Sequence, residues 1–457
     1  MANCRSLDQR RSSIHLIAWI LAAVVLWAPL PFASIREKHQ MLLLLAAFGT
    51  LAVAALAARR RGDVGAHALL PAAALAGVAG IGALQLLLPP TGALAAVHWL
   101  TEDLAPSPGE LAQTAGRALA PLAVWWSAAA WLGAAALLVA AATAGRRRAN
   151  RRALGAALVG GALFQVIFGA QHLARRSTTI WGQEVPNTPD RLRGTFVNPD
   201  HCATFLLLGL AAAFAWGWWA LRRARQVEAP ERKVLLVAPA ALAWLALFAG
   251  LAFTGSRSAL AAGLATTALQ GVLAAVAARR WHLSVSGVLV AAVGVGFVAV
   301  LGLQQGLGRW LATSPFEVAW NVRLTVYEHS FELWQRAPWL GFGLGSFRDA
   351  FPLVSPPGLG ASFWDAHNQY LQLLVTGGLA ACALVATSAV LILARLSRVL
   401  RHGARSEDRA AALAGLGAIA AMAIHSFFDF GLSMPANAVA LVTLVGAALG
   451  VSTERQE

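Results

Sequence analysis

Apolar residues run along this chain in blocks of about twenty. They fall near 14–34, 41–58, 66–89, 119–144, 153–172, 202–221, 234–253, 258–278, 283–304, 370–394, 410–428 and 436–451. Each block is close to the length a helix needs to cross the hydrocarbon core of a bilayer. The pattern therefore predicts an all-α polytopic integral membrane protein with about twelve transmembrane helices. Three intervening segments, 90–118, 173–201 and 305–369, are too long for simple turns. The last, between spans nine and ten, contains "NVRLTVYEHSFELWQRAP" (321–338). There Leu324, Tyr327, Phe331 and Trp334 recur at helical spacing, Arg336 occupies the last turn and Pro338 ends it. This predicts an amphipathic helix lying on the membrane or packed over the bundle.

The polar loops alternate in character. One set contains "RRRGD" (59–63), "GRRRANRR" (145–152), "RRARQVEAPERK" (222–233), "ARRWH" (278–282) and "RLSRVLRHGARSEDR" (395–409). With both termini it holds 24 of the 36 Lys and Arg residues; the other set, although its loops are longer, holds 12. The basic set is expected in the cytoplasm, so both termini are expected inside and the long segments outside. The first apolar block follows Arg5, Arg10 and Arg11, as in a signal sequence. Its length and the poor cleavage site at "ASIRE" predict that it stays attached.

Composition agrees with the pattern. The chain is 457 residues long, 58% hydrophobic and 12% charged, with a mean hydropathy of +0.62, which excludes an ordinary soluble protein of this size. The net charge of +15 would suit nucleic acid if it were gathered on one surface. It is instead spread as an insertion signal, so no nucleic-acid partner is expected and the lipid bilayer is. Cys4, Cys202 and Cys382 form neither a disulfide framework nor a CxxC metal pair.

Four polar clusters fall on the outward side: "DRLRGTFVNPDH" (190–201), "TGSRSAL" (254–260), Arg323 with Glu328 and His329, and "WDAHNQYLQLL" (364–374). Arg257 stands in a short turn between two apolar spans. It is either a snorkelling interfacial arginine or part of an anion site, with Thr254, Ser256, Ser258 and the N–H groups that open the next helix. His367 opens another apolar span. It is either a capping residue or a general base, with Asp365 placed to orient the ring or raise its pKa. "GFGLGS" (341–346) follows no strand and reads as a glycine-rich turn instead of a nucleotide loop. "HSFFDF" (425–430) sets His425 and Asp429 one turn apart, but no third metal ligand is near in sequence. Asp429 is expected instead to pair with an arginine and brace the site.

Taken in order, "RGTFVNPDHCATFL" (193–206), "TGSRSAL" (254–260), Arg323–Leu324 with "PWLGFGLGSF" (338–347), "AHNQYLQLLVTGGL" (366–379) and "HSFFDFGLSMPANA" (425–438) resemble the O-antigen ligase and Wzy-type polymerase superfamily. The resemblance covers roughly 190–440. It divides the chain into an N-terminal transmembrane bundle (1–189), a catalytic region (190–440) and a last helix end with a cytoplasmic tail (441–457). One departure is Pro199 and Asp200, where many members carry an arginine or asparagine near this stretch.

The resemblance implies a GT-C-like membrane glycosyltransferase of the bacterial inner membrane, active on the periplasmic side. It implies an undecaprenyl diphosphate-linked glycan as donor and an acceptor glycolipid or glycan. No cofactor, nucleotide sugar or metal is implied. Carried over residue by residue, His367 is the catalytic base or acceptor-positioning group. Arg193, Arg257 and Arg323 clamp the donor diphosphate, since arginine offers phosphate a forked set of donors and keeps its charge. Asn198, His201, Asp365, Asn368, Tyr370 and Asp429 support them. An O-antigen ligase acting on lipid A core, in lipopolysaccharide assembly, is the first expectation. A repeat-unit polymerase and a protein oligosaccharyltransferase are alternatives within the class, and a small-solute or anion transporter is the alternative outside it.

Overall fold

The computed structural model describes residues 2–59, 65–88, 118–185, 190–278, 313–356 and 363–452. Its helices are α1 (Ala2–Trp27), α2 (Glu37–Arg59), α3 (Ala66–Leu87), α4 (Pro121–Gly145), α5 (Arg148–Ala174), α6 (Pro199–Ala224), α7 (Pro230–Phe253), α8 (Arg257–Ala278), α9 (Thr313–Arg336), the single turn α10 (Phe347–Ala350), α11 (Gln369–His402), α12 (Ser406–His425) and α13 (Pro435–Leu449). A two-residue hairpin, β1 (Thr179–Ile180) with β2 (Gln183–Glu184), is the one sheet among the described residues. Eight of the helices are long and apolar enough to cross a membrane. Helices cover eleven of the twelve predicted blocks. The block at 283–304, the charged residues 60–63 and 279–282, and residues 90–117 of the first long outward segment lie outside the described residues.

Why these segments are helices follows from the solvent they imply. A chain inside hydrocarbon must satisfy every backbone N–H and C=O internally, and a helix does so within one segment. The ends are set locally. Proline occupies the first turn of α4, α6, α7 and α13, where its missing N–H removes nothing. The Asn198 side chain caps α6 by accepting from the Asp200 N–H at 2.9 Å. Asn368 caps α11 by accepting from the N–H groups of Tyr370 and Leu371 at 3.0 and 3.1 Å.

Helix α6 stands in the middle, packed on α7, α12, α8 and α5. The alanine-rich half of α4 packs on α13, where Gly446 meets the Leu138 carbonyl and Ala141. Small residues allow that approach, and close packing is what holds helices together when lipid is as apolar as they are.

The described members of the two loop sets lie at opposite ends of this bundle. At one end, Arg151 at the start of α5 pairs with Asp408 at the start of α12, Arg152 pairs with Glu407, and Arg409 donates to the Ala277 carbonyl at 3.1 Å. At the other, the Leu192 N–H donates to the Phe253 carbonyl at 2.9 Å and the Gln369 N–H to the Ser426 carbonyl at 2.9 Å. That second end gathers the segments 190–201, 254–257, 363–369 and 426–434.

Two features there correct or complete the sequence reading. Helix α9 forms; the face it buries is Val326, Ser330, Leu333 and Ala337, while Leu324 and Phe331 of the apolar stripe are 44% and 47% exposed. In a membrane setting apolar residues face lipid as readily as a core, so helical spacing marks an apolar stripe without saying which side packs.

The "GFGLGS" loop, for its part, mends a break in α11. Gly378 sits at φ 66°, outside the helical range. The carbonyls of Val375 and Thr376, freed by the break, accept from the N–H groups of Phe342 and Gly343 at 3.0 and 3.1 Å. Beyond it, the N–H groups of Leu379 and Ala380 donate to the Pro338 and Trp339 carbonyls at 2.9 and 3.1 Å. Gln85 of α3, fully buried, closes the junction. Its amide donates to the Leu340 carbonyl and, at 2.8 Å, to the Thr376 carbonyl, and it accepts from the Leu344 N–H at 2.9 Å. Irregular backbone at this depth is tolerated because each freed group finds a partner.

Candidate functional site

The site is assembled from the ends of α6, α11 and α12 with α9 laid beside them. His367 precedes the Asn368 cap and lies at φ 52°, a left-handed conformation that non-glycine residues rarely hold unless their surroundings enforce it. Its carbonyl accepts from the Tyr327 hydroxyl of α9 at 3.0 Å, and the same hydroxyl reaches the Phe427 carbonyl at 3.2 Å. The Phe430 ring stands between two imidazoles, with centroids 4.6 Å from His201 and 5.2 Å from His367, edge-on to both.

Behind this layer lies a buried ionisable group. Asp429 sits between two histidines: His201 Nε2 is 3.8 Å from its Oδ1 and His425 Nδ1 is 3.9 Å from its Oδ2. The Thr204 hydroxyl and His425 Nδ1 are 3.3 Å apart. His201, His425 and Asp429 are all buried. The expected arginine pairing of Asp429 therefore gives way to an imidazole–carboxylate–imidazole arrangement, and the arginine whose charge reaches Asp429 is Arg323. Among the described residues no group of three or more His, Cys, Asp or Glu side chains is set to hold a metal ion.

Asp200, the departure noted in the sequence, has a partner. Arg191 donates to Asp200 Oδ1 at 2.8 Å and, through Nε, to the Thr254 carbonyl at 2.6 Å. One guanidinium thus ties "DRLRGTF" to the start of α6 and to the turn that leads into Arg257. Arg257 heads α8, half-buried. Arg193 is 2% exposed and donates to the Ser177 carbonyl at 2.9 Å. Arg323, half-buried on α9, acts electrostatically on His367, His425 and Asp429.

The partners of two supporting residues are defined. Asp365 was expected to orient the His367 ring; instead its carboxylate accepts from Gln372 Nε2 at 2.6 Å. Burial raises the Asp365 carboxyl above its ordinary value, with the Gln372 hydrogen bond opposing. Tyr370 donates its hydroxyl to the Ala423 carbonyl at 2.7 Å and so joins α11 to α12.

The electrostatics define what the cluster can do. Burial first, then the Arg323 charge, hold the His367 imidazole down at about 4, with Asp200 opposing. It is neutral near pH 7 and able to accept a proton. Burial and the neighbouring Asp200 charge push the Asp429 carboxyl up. Arg191 and His425 escaped sequence reasoning as members of the site. Arg191 bonds across 63 residues to Thr254, and His425 meets Thr204 across 221. No local spacing encodes such contacts.

A helical membrane bundle that brings His201, His367, His425, Asp200, Asp429 and Arg323 together at one end defines a membrane-embedded protein with a site at the end of its spans. The model of the O-antigen ligase family (Wzy_C) matches residues 241–386. That stretch bears out the resemblance to the O-antigen ligase and Wzy superfamily, and it supports an enzyme of the ligase or polymerase type. It contains Arg257, Arg323, Asp365, His367, Asn368 and Tyr370; Arg193, Asn198, His201 and Asp429 lie outside it. No curated protein matches the chain.

Proposed function

We propose that this chain is a periplasmic-face glycosyltransferase. It moves a glycan from an undecaprenyl diphosphate carrier to an acceptor hydroxyl, first as an O-antigen ligase acting on lipid A core. The observation that carries this reading is the neutral, half-buried His367 beside the charge of Arg323, both inside the stretch matched by the O-antigen ligase family.

The chemistry asks for little more. The donor's sugar–diphosphate bond brings its own leaving group. The acceptor oxygen attacks the anomeric carbon, the bond to the diphosphate oxygen breaks, and the hydroxyl proton passes to His367. Arg323 and Arg257 bind the diphosphate and stabilise the charge it gains as it leaves. The occupied site also makes His367 a better base, because an anion against Arg323 offsets the charge that holds the imidazole down. His201, His425 and Asp429 support the ring through Phe430, and Arg191 fixes Asp200 and the approach to Arg257.

The clamp is tested by substitution in a transfer assay with purified protein. Arg257→Ala should lose nearly all transfer, and Arg257→Lys should regain little, because a point charge does not replace a fork. Normal transfer by well-folded Arg257→Ala would reduce this residue to an interfacial anchor. Product pattern separates the subclasses: a ligase joins one preassembled chain to a distinct acceptor, whereas a polymerase makes a ladder of repeat lengths from donor alone.

A further inference from the structure

The turn between α1 and α2 is built against local preference. Phe32, Ala33 and Ser34 lie at φ 56°, 57° and 61°, a left-handed run that costs roughly 1–2 kcal/mol for each non-glycine residue. Its neighbours hold it in place. The Ser34 hydroxyl donates to the Ala28 carbonyl at 2.7 Å, and the Thr195 hydroxyl donates to the Pro29 carbonyl at 2.6 Å. Facing the turn is the β1–β2 hairpin. Its Trp181 is also at positive φ, 52°, and donates its indole N–H to the Leu30 carbonyl at 2.8 Å. Four of the six non-glycine positive-φ positions among the described residues thus border one place, and a fifth is His367. Backbone held so far from its preferences is a pointer to function.

Between turn and hairpin is an open cleft of about 290 Å³, lined among others by Trp27, Phe32, Arg36, Lys38, His39 and Trp181. No carboxylate lines it among the described residues. The Arg36 guanidinium donates to Gln183 Oε1 at 2.6 Å and lies 5.0 Å from the Phe32 ring centre, so it is steered over the cleft. The His39 ring stands edge-on to Trp27 at 6.0 Å, and its Nδ1 is buried with no hydrogen-bond partner. Trp181 presents its ring at 51% exposure. The cleft opens where the apolar stretch of α1 ends and that of α2 begins, which is the depth of lipid headgroups. It shares an end of the bundle with His367, since Arg193 donates to the Ser177 carbonyl at the root of the hairpin and Thr195 to the turn itself.

The geometry points to a second anion site here, one that takes the phosphate of an interfacial lipid headgroup. Arg36, Lys38 and His39 line it with no acid among the lining residues, and arginine and lysine are the usual phosphate donors. The volume is at the lower edge of ligand pockets, about 300–1,000 Å³, which suits one headgroup. An interfacial tryptophan or arginine that only anchors the protein would point outward and line no cavity. The headgroup belongs either to an anionic phospholipid of the bilayer or to a phosphorylated acceptor glycolipid. Only the second source rests on the transferase reading.

Native mass spectrometry of the full chain in neutral detergent tests the site with three probes: dioctanoyl phosphatidic acid, dioctanoyl phosphatidylcholine and inorganic phosphate. Phosphatidic acid should bind best. Its affinity should fall about tenfold or more in Lys38→Gln and in Arg36→Gln, the loss of one charge-assisted hydrogen bond. Unchanged affinity in both variants would overturn the site, and inorganic phosphate binding as tightly as the lipid would overturn its assignment to a headgroup. Since Arg36 also holds the hairpin, Lys38→Gln keeps the test clear of folding. The sources separate by acceptor KM. A lower KM for phosphorylated than for phosphatase-treated acceptor, lost in Lys38→Gln, identifies the acceptor; equal KM values with lipid binding retained identify bilayer phospholipid. The binding arm needs no turnover, so its failure leaves the transferase reading standing, and an inactive wild-type protein leaves the binding result standing.

Discussion

His367 faces two opposing demands. A general base must be unprotonated at working pH yet bind a proton in the transition state. Burial and Arg323 satisfy the first by holding the imidazole at about 4. The second is met in the proposed mechanism when a diphosphate offsets Arg323. The sign is definite: the neutral form is present across the neutral range and is lost as pH falls through the lowered value. The acid limb of kcat/KM, which reports the free enzyme, should therefore lie near 4. Arg323→Gln removes a cause of the lowering, so its residual activity should fail at higher pH than wild type. His367→Ala should cut turnover by about 10²–10⁴-fold while the donor still binds, and its residual rate should lose the acid limb. A limb that stays put in Arg323→Gln would separate the two residues. If His367 only anchors the acceptor, the loss should fall on acceptor KM and be partly restored by His367→Gln. His367 and Arg323 were legible because they stand in ordered short motifs. The bonds of Arg191 to Thr254 and of His425 to Thr204 were not, because those partners are distant in sequence.

Among elements, α11 and the loop beside it show where pattern reading stops. The apolar run predicted a helix and a helix forms. The break at Gly378 is invisible to hydropathy, because glycines are common in membrane helices and most leave them intact. The break works only because "GFGLGS" and Gln85 supply partners. Gln85→Leu would leave the Leu340 carbonyl and the Leu344 N–H without the partner Gln85 supplies, while the Thr376 carbonyl keeps the Gly343 N–H. Each loss should cost about 1–3 kcal/mol, so thermal unfolding in detergent should show a clearly lower Tm. Gly378→Ala should do the same, since a Cβ there meets the Trp339 carbonyl and φ 66° disfavours any side chain. A Tm equal to wild type in Gln85→Leu would mean that the junction is hydrated and the glutamine is not its clamp. Which face of α9 is buried could not be read from spacing for a related reason: in a bilayer, apolar does not mean inward.

For the whole molecule, the distribution of arginine and lysine carries the orientation. Insertion is governed by charge in short loops, and among the described residues the two loop sets lie at opposite ends; which end faces outward is what labelling tests. A cysteine at Glu332, exposed on α9, should react with an impermeant thiol reagent applied from outside, and one at Ala404 should not, in a background lacking the native cysteines. Ser346 in the glycine-rich loop is unsuited to this test because it is fully buried. Reversed labelling would put the His367 cluster in the cytoplasm. The acceptor is encoded in no motif here, since it depends on the shape of a surface built from several segments.

Transfer itself is the most direct test. Purified full-length protein in liposomes, given undecaprenyl diphosphate-linked glycan and a core glycolipid acceptor without nucleotide sugar, should release one undecaprenyl diphosphate for each new glycosidic bond. His367→Ala and Arg323→Ala should release almost none. Wild-type protein that forms no bond with either ligase or polymerase acceptors, yet moves a solute across the same liposomes, would contradict the account.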